Sequence, residues 1–252
     1  MGRRYYCLKR WWRWWSGPER WAVEQASPLA CQVIQHQSVL LRRLKAVEMY
    51  LQYNKITNLR LAAASIDGLL IRPGETFSFW KRTGNPTAAR GFLEGLVLES
   101  GKITKGTGGG LCQMGNLLYW MALHTPLTVA ERWRHSYDVF PDEGRTLPFG
   151  SGATLAYNYI DLQLRNDTLH TFQINIQLTD THLLGEIRCE KPTPYRYEVL
   201  ETHHEIRAEQ HSGYSRHNRI ARRIFDAATD QLLREELVAE NHALMMYQPF
   251  LR

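Results

Sequence analysis

The run Lys105-Gly106-Thr107-Gly108-Gly109-Gly110, leading into Leu111-Cys112-Gln113-Met114, limits this chain more than any other stretch. Three consecutive glycines are a poor strand or helix interior, because glycine loses the most backbone freedom on ordering, so the segment reads as a loop. From Leu111 to His124 the chain is mostly apolar and Pro126 closes it. This predicts a buried helix whose first turn carries Cys112. Free N–H groups and the dipole at a helix start stabilise a thiolate, and the same N–H groups are the donors that acyl transfer needs for an oxyanion. A cysteine nucleophile also needs a base, usually histidine. His135, in Arg132-Trp133-Arg134-His135-Ser136, is the candidate, because His124 lies at the far end of the same helix, about 18 Å away at 1.5 Å per residue. Two plainer readings stand beside this one. A glycine loop before a helix can bind phosphate, although neither G-x-G-x-x-G nor a P-loop Lys-Ser/Thr is present. Alternatively, Cys112 is a small core residue, as free cysteines commonly are.

The chain has 252 residues, enough to bury a core without disulfides or metal. Hydrophobic residues make up 44% and charged residues 22%, which argues against long disorder. The net charge of +6 is unevenly spread. Residues 1–60 hold 11 Lys/Arg against 3 Asp/Glu, whereas 61–190 hold 11 against 13. The basic character therefore belongs to the first segment and not to a groove on the body, which argues against whole-protein nucleic-acid binding. Cys7, Cys31, Cys112 and Cys189 are far apart and form no CxxC pair, so neither a zinc site nor a disulfide framework is expected. No cofactor motif is found. No stretch approaches the roughly eighteen apolar residues of a membrane span, and the basic start is not followed by a signal-peptide core. The expected location is the cytoplasm, with peripheral contact at the inner membrane surface.

The source of that contact is residues 1–21. Trp11, Trp12, Arg13, Trp14 and Trp15 alternate indoles with cations, and Arg20-Trp21 follows. Such a mixture suits a lipid headgroup interface. It also suits stacking on single-stranded nucleic acid, or covering of the domain's own core.

Ser27-Pro28 reads as a helix start, and Val33, Leu40, Leu44, Val47 and Leu51 give one apolar stripe, predicting an amphipathic helix to about Tyr53. A second helix is expected over 58–66, with Gly68 as its stop. Leu69-Leu70-Ile71, the turn Arg72-Pro73-Gly74-Glu75 and Thr76-Phe77-Ser78-Phe79-Trp80 read as strand, turn and partner strand. Leu96-Val97-Leu98 reads as a short buried strand. Tyr157–Leu164 and Thr171–Leu178 alternate around Arg165-Asn166-Asp167-Thr168, predicting a hairpin. The tail is ambiguous by periodicity: 220–247 fits one helix, or two strands turning near Thr229-Asp230-Gln231. Arg216, Arg219, Arg222 and Arg223 form a local basic cluster, partly balanced by Glu235 and Glu236 if a hairpin sets them opposite. His203, His204, His211 and His217 read as solvated positions and not as metal ligands.

Taken in order, Pro73-Gly74-Glu75-Thr76-Phe77-Ser78-Phe79, Gly91-Phe92, Gly108-Gly109-Gly110-Leu111-Cys112-Gln113, Glu131-Arg132 with His135-Ser136, Gly152-Ala153-Thr154, and Asp161-Leu162 with Arg165-Asn166 resemble the VanW family over about residues 55–190. The resemblance implies a bacterial protein of cell-wall peptidoglycan metabolism and glycopeptide resistance. It implies acyl transfer of the L,D-transpeptidase type, with Cys112 as nucleophile and His135 as base. Gly108, Gly109, Gly110 and Gln113 would form the oxyanion loop. Arg132, Ser136 and Asp161 would orient the base or touch substrate. The partner would be a stem peptide or a lipid-linked precursor. The alternative is a non-catalytic precursor-binding or membrane-surface module.

Two departures stand out. Gly115-Asn116 replaces Ser-Thr of many relatives, and Gly152 replaces an Asp, leaving Asp138, Asp142 or Asp161 to orient the histidine. The resemblance also implies strands in the tail. The expected fold is one mixed α+β domain: a basic Trp/Arg segment with a helix (1–54), the family domain (55–190), and a β-rich extension (191–252).

Overall fold

The computed structural model describes residues 2–41, 48–99, 101–134, 137–139, 146–210 and 213–249. Four α-helices lie among them: α1 (Gly2–Ser16), α2 (Met49–Ile66), α3 (Phe79–Thr83) and α4 (Cys112–Ala122). The strands are β1 (Arg20–Trp21), β2 (Cys31–Val39), β3 (Leu69–Ile71), β4 (Glu75–Ser78), β5 (Glu94–Glu99), β6 (Lys102–Thr107) and β7 (Thr128–Glu131). They continue with β8 (Tyr137–Asp138), β9 (Gln163–Arg165), β10 (Phe172–Leu178), β11 (His182–Cys189), β12 (Tyr195–Ala208), β13 (Tyr214–Asp226) and β14 (Leu232–Met245). The architecture is mixed α+β, with an N-terminal helix and a β-rich tail. Among the described residues no helix is long and apolar enough to cross a membrane.

The chain divides into two compact units. The first comprises Met1–Val97, Lys105–Trp133 and Ala153–Pro192. It holds two four-stranded sheets, β1-β4-β9-β7 and β2-β11-β10-β3. Its core includes Leu59 and Ile66 of α2, Met114, Leu118 and Met121 of α4, and Phe77 and Phe172 from the sheets, all fully buried. Helix α4 packs on β11 at Gly185, where an added Cβ would lie 2.5 Å from Met121 and 2.8 Å from Leu117. That glycine lets an apolar helix approach the sheet closely. Helix α2 ends as expected: Asp67 N–H bonds Ala63 carbonyl and Gly68 takes φ 74°.

The second unit comprises Leu98–Thr104, Arg134–Gly152 and Thr193–Arg252. It is built on the sheet β12-β13-β14-β8. The tail is therefore strands, with the turn at 227–231 where Asp230 adopts φ 56°. Arg223 faces Glu235 and Arg222 faces Glu236 across β13 and β14, with ion pairs of 2.7 and 2.6 Å. The cross-strand balance of charge is as the sequence implied.

Four local readings are corrected. The helix expected from Ser27 to Tyr53 is not formed: Cys31–Val39 is a strand antiparallel to β11, and helix begins only at Met49. The alternation there was hidden by a bulge opposite Ile187 and Arg188, which puts Val33 and Ile34 side by side and breaks period two. Of the stripe, Leu44 and Val47 lie outside the described residues. Second, β3 and β4 enter different sheets, β3 pairing with β10 and β4 with β9, and Phe79–Trp80 open α3 instead of extending β4. Third, β9 and β10 are not a hairpin for the same reason. The turn between them is real, since Asn166 Oδ1 accepts from Thr168 N–H and its Nδ2 donates to the Ile71 and His170 carbonyls, but it hands the chain from one sheet to the other. Fourth, Leu96, Val97 and Leu98 form a strand that is only half-buried.

Candidate functional site

The loop expected over 105–110 is shorter than its composition implies: residues 105–107 end β6, and Gly108, Gly109 and Gly110 form a turn that is closed on itself. The N–H groups of Gly108, Gly109 and Gly110 donate to the carbonyls of Leu93, Gly106 and Leu96, at 2.9, 3.0 and 2.9 Å. Gly108 and Gly110 hold positive φ, 77° and 92°. Gly109 meets Gly95 so closely that a Cβ would lie 2.2 Å from the Gly95 carbonyl carbon. Asn58, fully buried on α2, fixes the pair: its Nδ2 donates to the Leu93 and Gly109 carbonyls and its Oδ1 accepts from Leu93 N–H. The glycines are thus required by backbone-on-backbone packing, and their three amides are engaged within the protein.

Cys112 opens α4 and is partly exposed as a residue. Its Sγ faces the Leu155 carbonyl at 3.9 Å. Burial pushes its thiol up from the ordinary value, outweighing the backbone hydrogen bonds that act downward. The helix start therefore does not give the lowered thiol pKa that the sequence suggested. Gln113 Nε2 donates to Ser38 Oγ and the Val39 carbonyl, both at 2.9 Å, tying α4 to β2. The departures from the family pattern also have local partners. Asn116 Oδ1 accepts from Ala153 N–H at 2.8 Å, and Gly115 leaves room for Leu155, which would stand 2.9 Å from an added Cβ.

His135, Ser136 and Asp142 lie outside the described residues. His124 sits at the far end of α4, its Nδ1 2.9 Å from the Trp120 carbonyl and its ring against Trp120. The Arg132 guanidinium lies over the Tyr119 ring at 4.6 Å. Asp138 belongs to the second unit, where it accepts from Tyr247 Oη at 2.9 Å and pairs with Arg216.

Asp161 organises a second, buried cluster in the first unit. Its Oδ2 accepts from Ser78 Oγ at 2.6 Å and from Gln163 Nε2 at 3.0 Å, and its Oδ1 accepts from Trp80 N–H at 3.1 Å. Ser78 Oγ in turn accepts from Lys81 N–H, so the two side chains together cap α3. Glu131 accepts from Asp161 N–H at 3.1 Å and from Trp133 Nε1 at 3.2 Å. Arg10 of α1 reaches in, bonding both Glu131 oxygens and lying 3.7 Å from Asp161 Oδ2. Desolvation dominates at Asp161 and pushes its pKa up to about 6, against the pull of Ser78, Gln163 and Arg10. Sequence reasoning singled out Asp161 but missed Arg10, Ser78, Glu131 and Gln163. Ser78 and Glu131 were visible inside the family-like runs. Nothing local marks Arg10 as the partner of a residue 121 positions away.

Helix α1 presents two faces. Cys7, Arg10 and Trp14 are half-buried, with Lys81 Nζ 5.6 Å above the Trp14 ring. Trp11, Trp12, Arg13 and Trp15 are exposed, and Arg13 pairs with Glu19. Of the Trp/Arg group, Trp14 is the member that turns inward.

A family model described as VanW like protein matches residues 54–188. The chain is 42% identical over 152 residues to the Vancomycin B-type resistance protein VanW of Enterococcus faecalis, covering 60% of this chain and 55% of that protein. It is 29% identical over 109 residues to the Uncharacterized protein YoaR of Bacillus subtilis, covering 43% of this chain and 34% of that one. The matches thus span about half of one relative's length and a third of the other's. No solved structure matches.

Proposed function

The chain belongs to the VanW family, and from that premise we propose that it serves glycopeptide resistance as a non-catalytic module that holds a peptidoglycan stem peptide or its lipid-linked precursor. The observation that carries the non-catalytic part is the engagement of the glycine turn. The amides that an oxyanion would need already donate to Leu93, Gly106 and Leu96, and burial disfavours the Cys112 thiolate. The peptidoglycan part rests on the relative's name, which speaks of vancomycin resistance.

The competing reading is cysteine-dependent acyl transfer. Cys112 would attack a stem-peptide carbonyl, His135 would take the thiol proton and return it to the departing amine, and an acceptor amine would release the acyl group from sulfur. The position of Cys112 at the first turn of α4 and its partial exposure favour this second reading.

Intact-mass spectrometry with a synthetic stem tetrapeptide, together with titration calorimetry on the same peptide and on a soluble precursor analogue, separates the two. Saturable binding without a covalent increment is expected, in wild type and in Cys112→Ala alike. An acyl-mass adduct on wild type that Cys112→Ala abolishes overturns the module in favour of the enzyme. Absence of both adduct and binding overturns the peptidoglycan assignment.

A further inference from the structure

Helix α1 is 15 residues long, about 22 Å at 1.5 Å per residue. Tyr5, Leu8, Trp12 and Trp15 recur at spacings of three and four and so form one stripe along it. They are 62%, 70%, 67% and 84% exposed, and Trp11 beside them is 56% exposed. The opposite stripe, Cys7, Arg10 and Trp14, is the one that meets the protein. The helix is therefore fixed by its inward face while an aromatic stripe faces out. Contiguous exposed apolar surface of this kind marks a contact site.

Charge decides the partner. The α1 sequence carries five Lys/Arg and no Asp/Glu. By helical rotation, Lys9 lies on one flank of the stripe and Arg4 on the other, and both are exposed. We propose that α1 docks the protein flat on an anionic lipid surface, with Tyr5, Leu8, Trp12 and Trp15 entering the headgroup boundary and Arg4 and Lys9 meeting lipid phosphates. Cations flanking an apolar stripe on one helix match the in-plane binding mode, in which rings sit at the boundary and ammonium or guanidinium groups stay at headgroup level. Single-stranded nucleic acid fits less well. Leu8 sits in the middle of the stripe with no base-stacking use, and Trp12 and Trp15 are already set edge to face, with centroids 6.3 Å apart and planes at 73°. A second copy fits less well again, because two such helices would oppose like charges with no acid on either.

The test is co-sedimentation of the full chain with vesicles of mixed phosphatidylglycerol and phosphatidylcholine, beside vesicles of phosphatidylcholine alone. Wild type is compared with Trp12→Glu/Trp15→Glu and with Arg4→Ala/Lys9→Ala. All four sites are exposed, and circular dichroism confirms that each variant is folded. Wild type should bind the anionic vesicles and lose binding as salt rises. The aromatic double variant should bind about tenfold or more weakly, and the cationic one should lose its preference for anionic lipid. Equal sedimentation of wild type and the aromatic variant overturns the proposal, as does equal binding to neutral vesicles. An aromatic variant that alters only oligomeric state in light scattering, or only binding to an oligothymidylate, overturns it in favour of self-association or nucleic acid.

Discussion

The guanidinium of Arg10 lies bidentate on the carboxylate of Glu131, with both N–O distances 2.6 Å. The two side chains are only 9% and 15% exposed, so the pair is largely withdrawn from water. It joins α1 to β7 at the point where Asp161 accepts hydrogen bonds from Ser78 and the Trp80 amide. An arginine is suited to this position, because its planar fork satisfies both carboxylate oxygens at once.

Removing one member of such a pair leaves the other charge buried without its partner. Arg10→Ala should therefore weaken the docking of α1 by about 2 kcal/mol, below the full buried-pair cost because both groups retain some water. The effect is local first, since the pair is what ties α1 to β7. Hydrogen exchange read by mass spectrometry over residues 2–16 should accelerate by about 30-fold while amides of β10 and β11 are unchanged. Arg10→Lys should fall between, since it keeps the charge and loses the second hydrogen bond. Unchanged exchange in Arg10→Ala would show that the pair does not hold the helix.

Asp161 should leave a signature in the pH dependence of stability. Its carboxyl has a pKa of about 6 when folded, against an ordinary 3.8. The folded protein thus holds this proton more tightly than the unfolded chain does, and Asp161 destabilises the fold as it ionises. Below pH 3.8 the effect is absent. It grows as pH rises from 3.8 to 6 and is complete above, at about 3 kcal/mol. Urea unfolding of wild type and Asp161→Asn across this window should differ in slope, with the variant gaining on wild type as pH rises. Parallel curves would contradict the raised value.

The sequence made some of this legible and concealed the rest for identifiable reasons. Helix α4 and the end of α2 follow from strong local signals, the glycine run before Leu111 and Gly68 after Ile66. The β12–β14 tail is ambiguous by period and reads as strands only through the family resemblance, while the Arg222–Glu236 and Arg223–Glu235 pairs follow from the register of β13 on β14. Strand β2 was misread because its bulge imitates helical spacing, and only pairing with β11 resolves it. The separation of β3 from β4 and of β9 from β10 depends on which sheet each strand joins, which no short window encodes. At the site, Cys112 was found by its position at a helix start, but the burial of its thiol against Leu155 is a tertiary fact. The Arg10–Glu131 contact is the extreme case, since it couples residues 121 positions apart.

The glycine turn gives a prediction in which sterics and backbone angle separate. Gly109 does not need positive φ, but a Cβ there would collide with the Gly95 backbone at 2.2–2.7 Å, and neither backbone has a side chain's freedom to yield. Gly74 is the reverse, with φ 77° and open space around it. Gly109→Ala should cost about 3 kcal/mol by forced repacking of the turn. Gly74→Ala should cost about 1 kcal/mol, the strain of an L-residue in the left-handed region. Urea midpoints of the two variants decide this. Equal midpoints would mean that the turn at Gly109 relaxes freely, and the amide hydrogen bonds around it would then be weaker constraints than their distances imply.

The reactivity of Cys112 bears most directly on what the protein does. A thiol reacts through its thiolate, so a pKa pushed above the ordinary value by burial leaves less nucleophile at neutral pH. The backbone hydrogen bond with Leu155 pulls the other way but does not overcome burial. Iodoacetamide labelling, resolved by peptide mapping at pH 7.5, should therefore modify Cys112 in the native protein about tenfold or more slowly than in urea. The rate should rise with pH beyond the range in which an ordinary thiol levels off. Rapid native labelling that levels off below neutral pH would instead mark an activated thiolate. It would require His135 or another group to approach Cys112 closely enough to reverse the effect of burial, and it would move the weight from the binding module to acyl transfer.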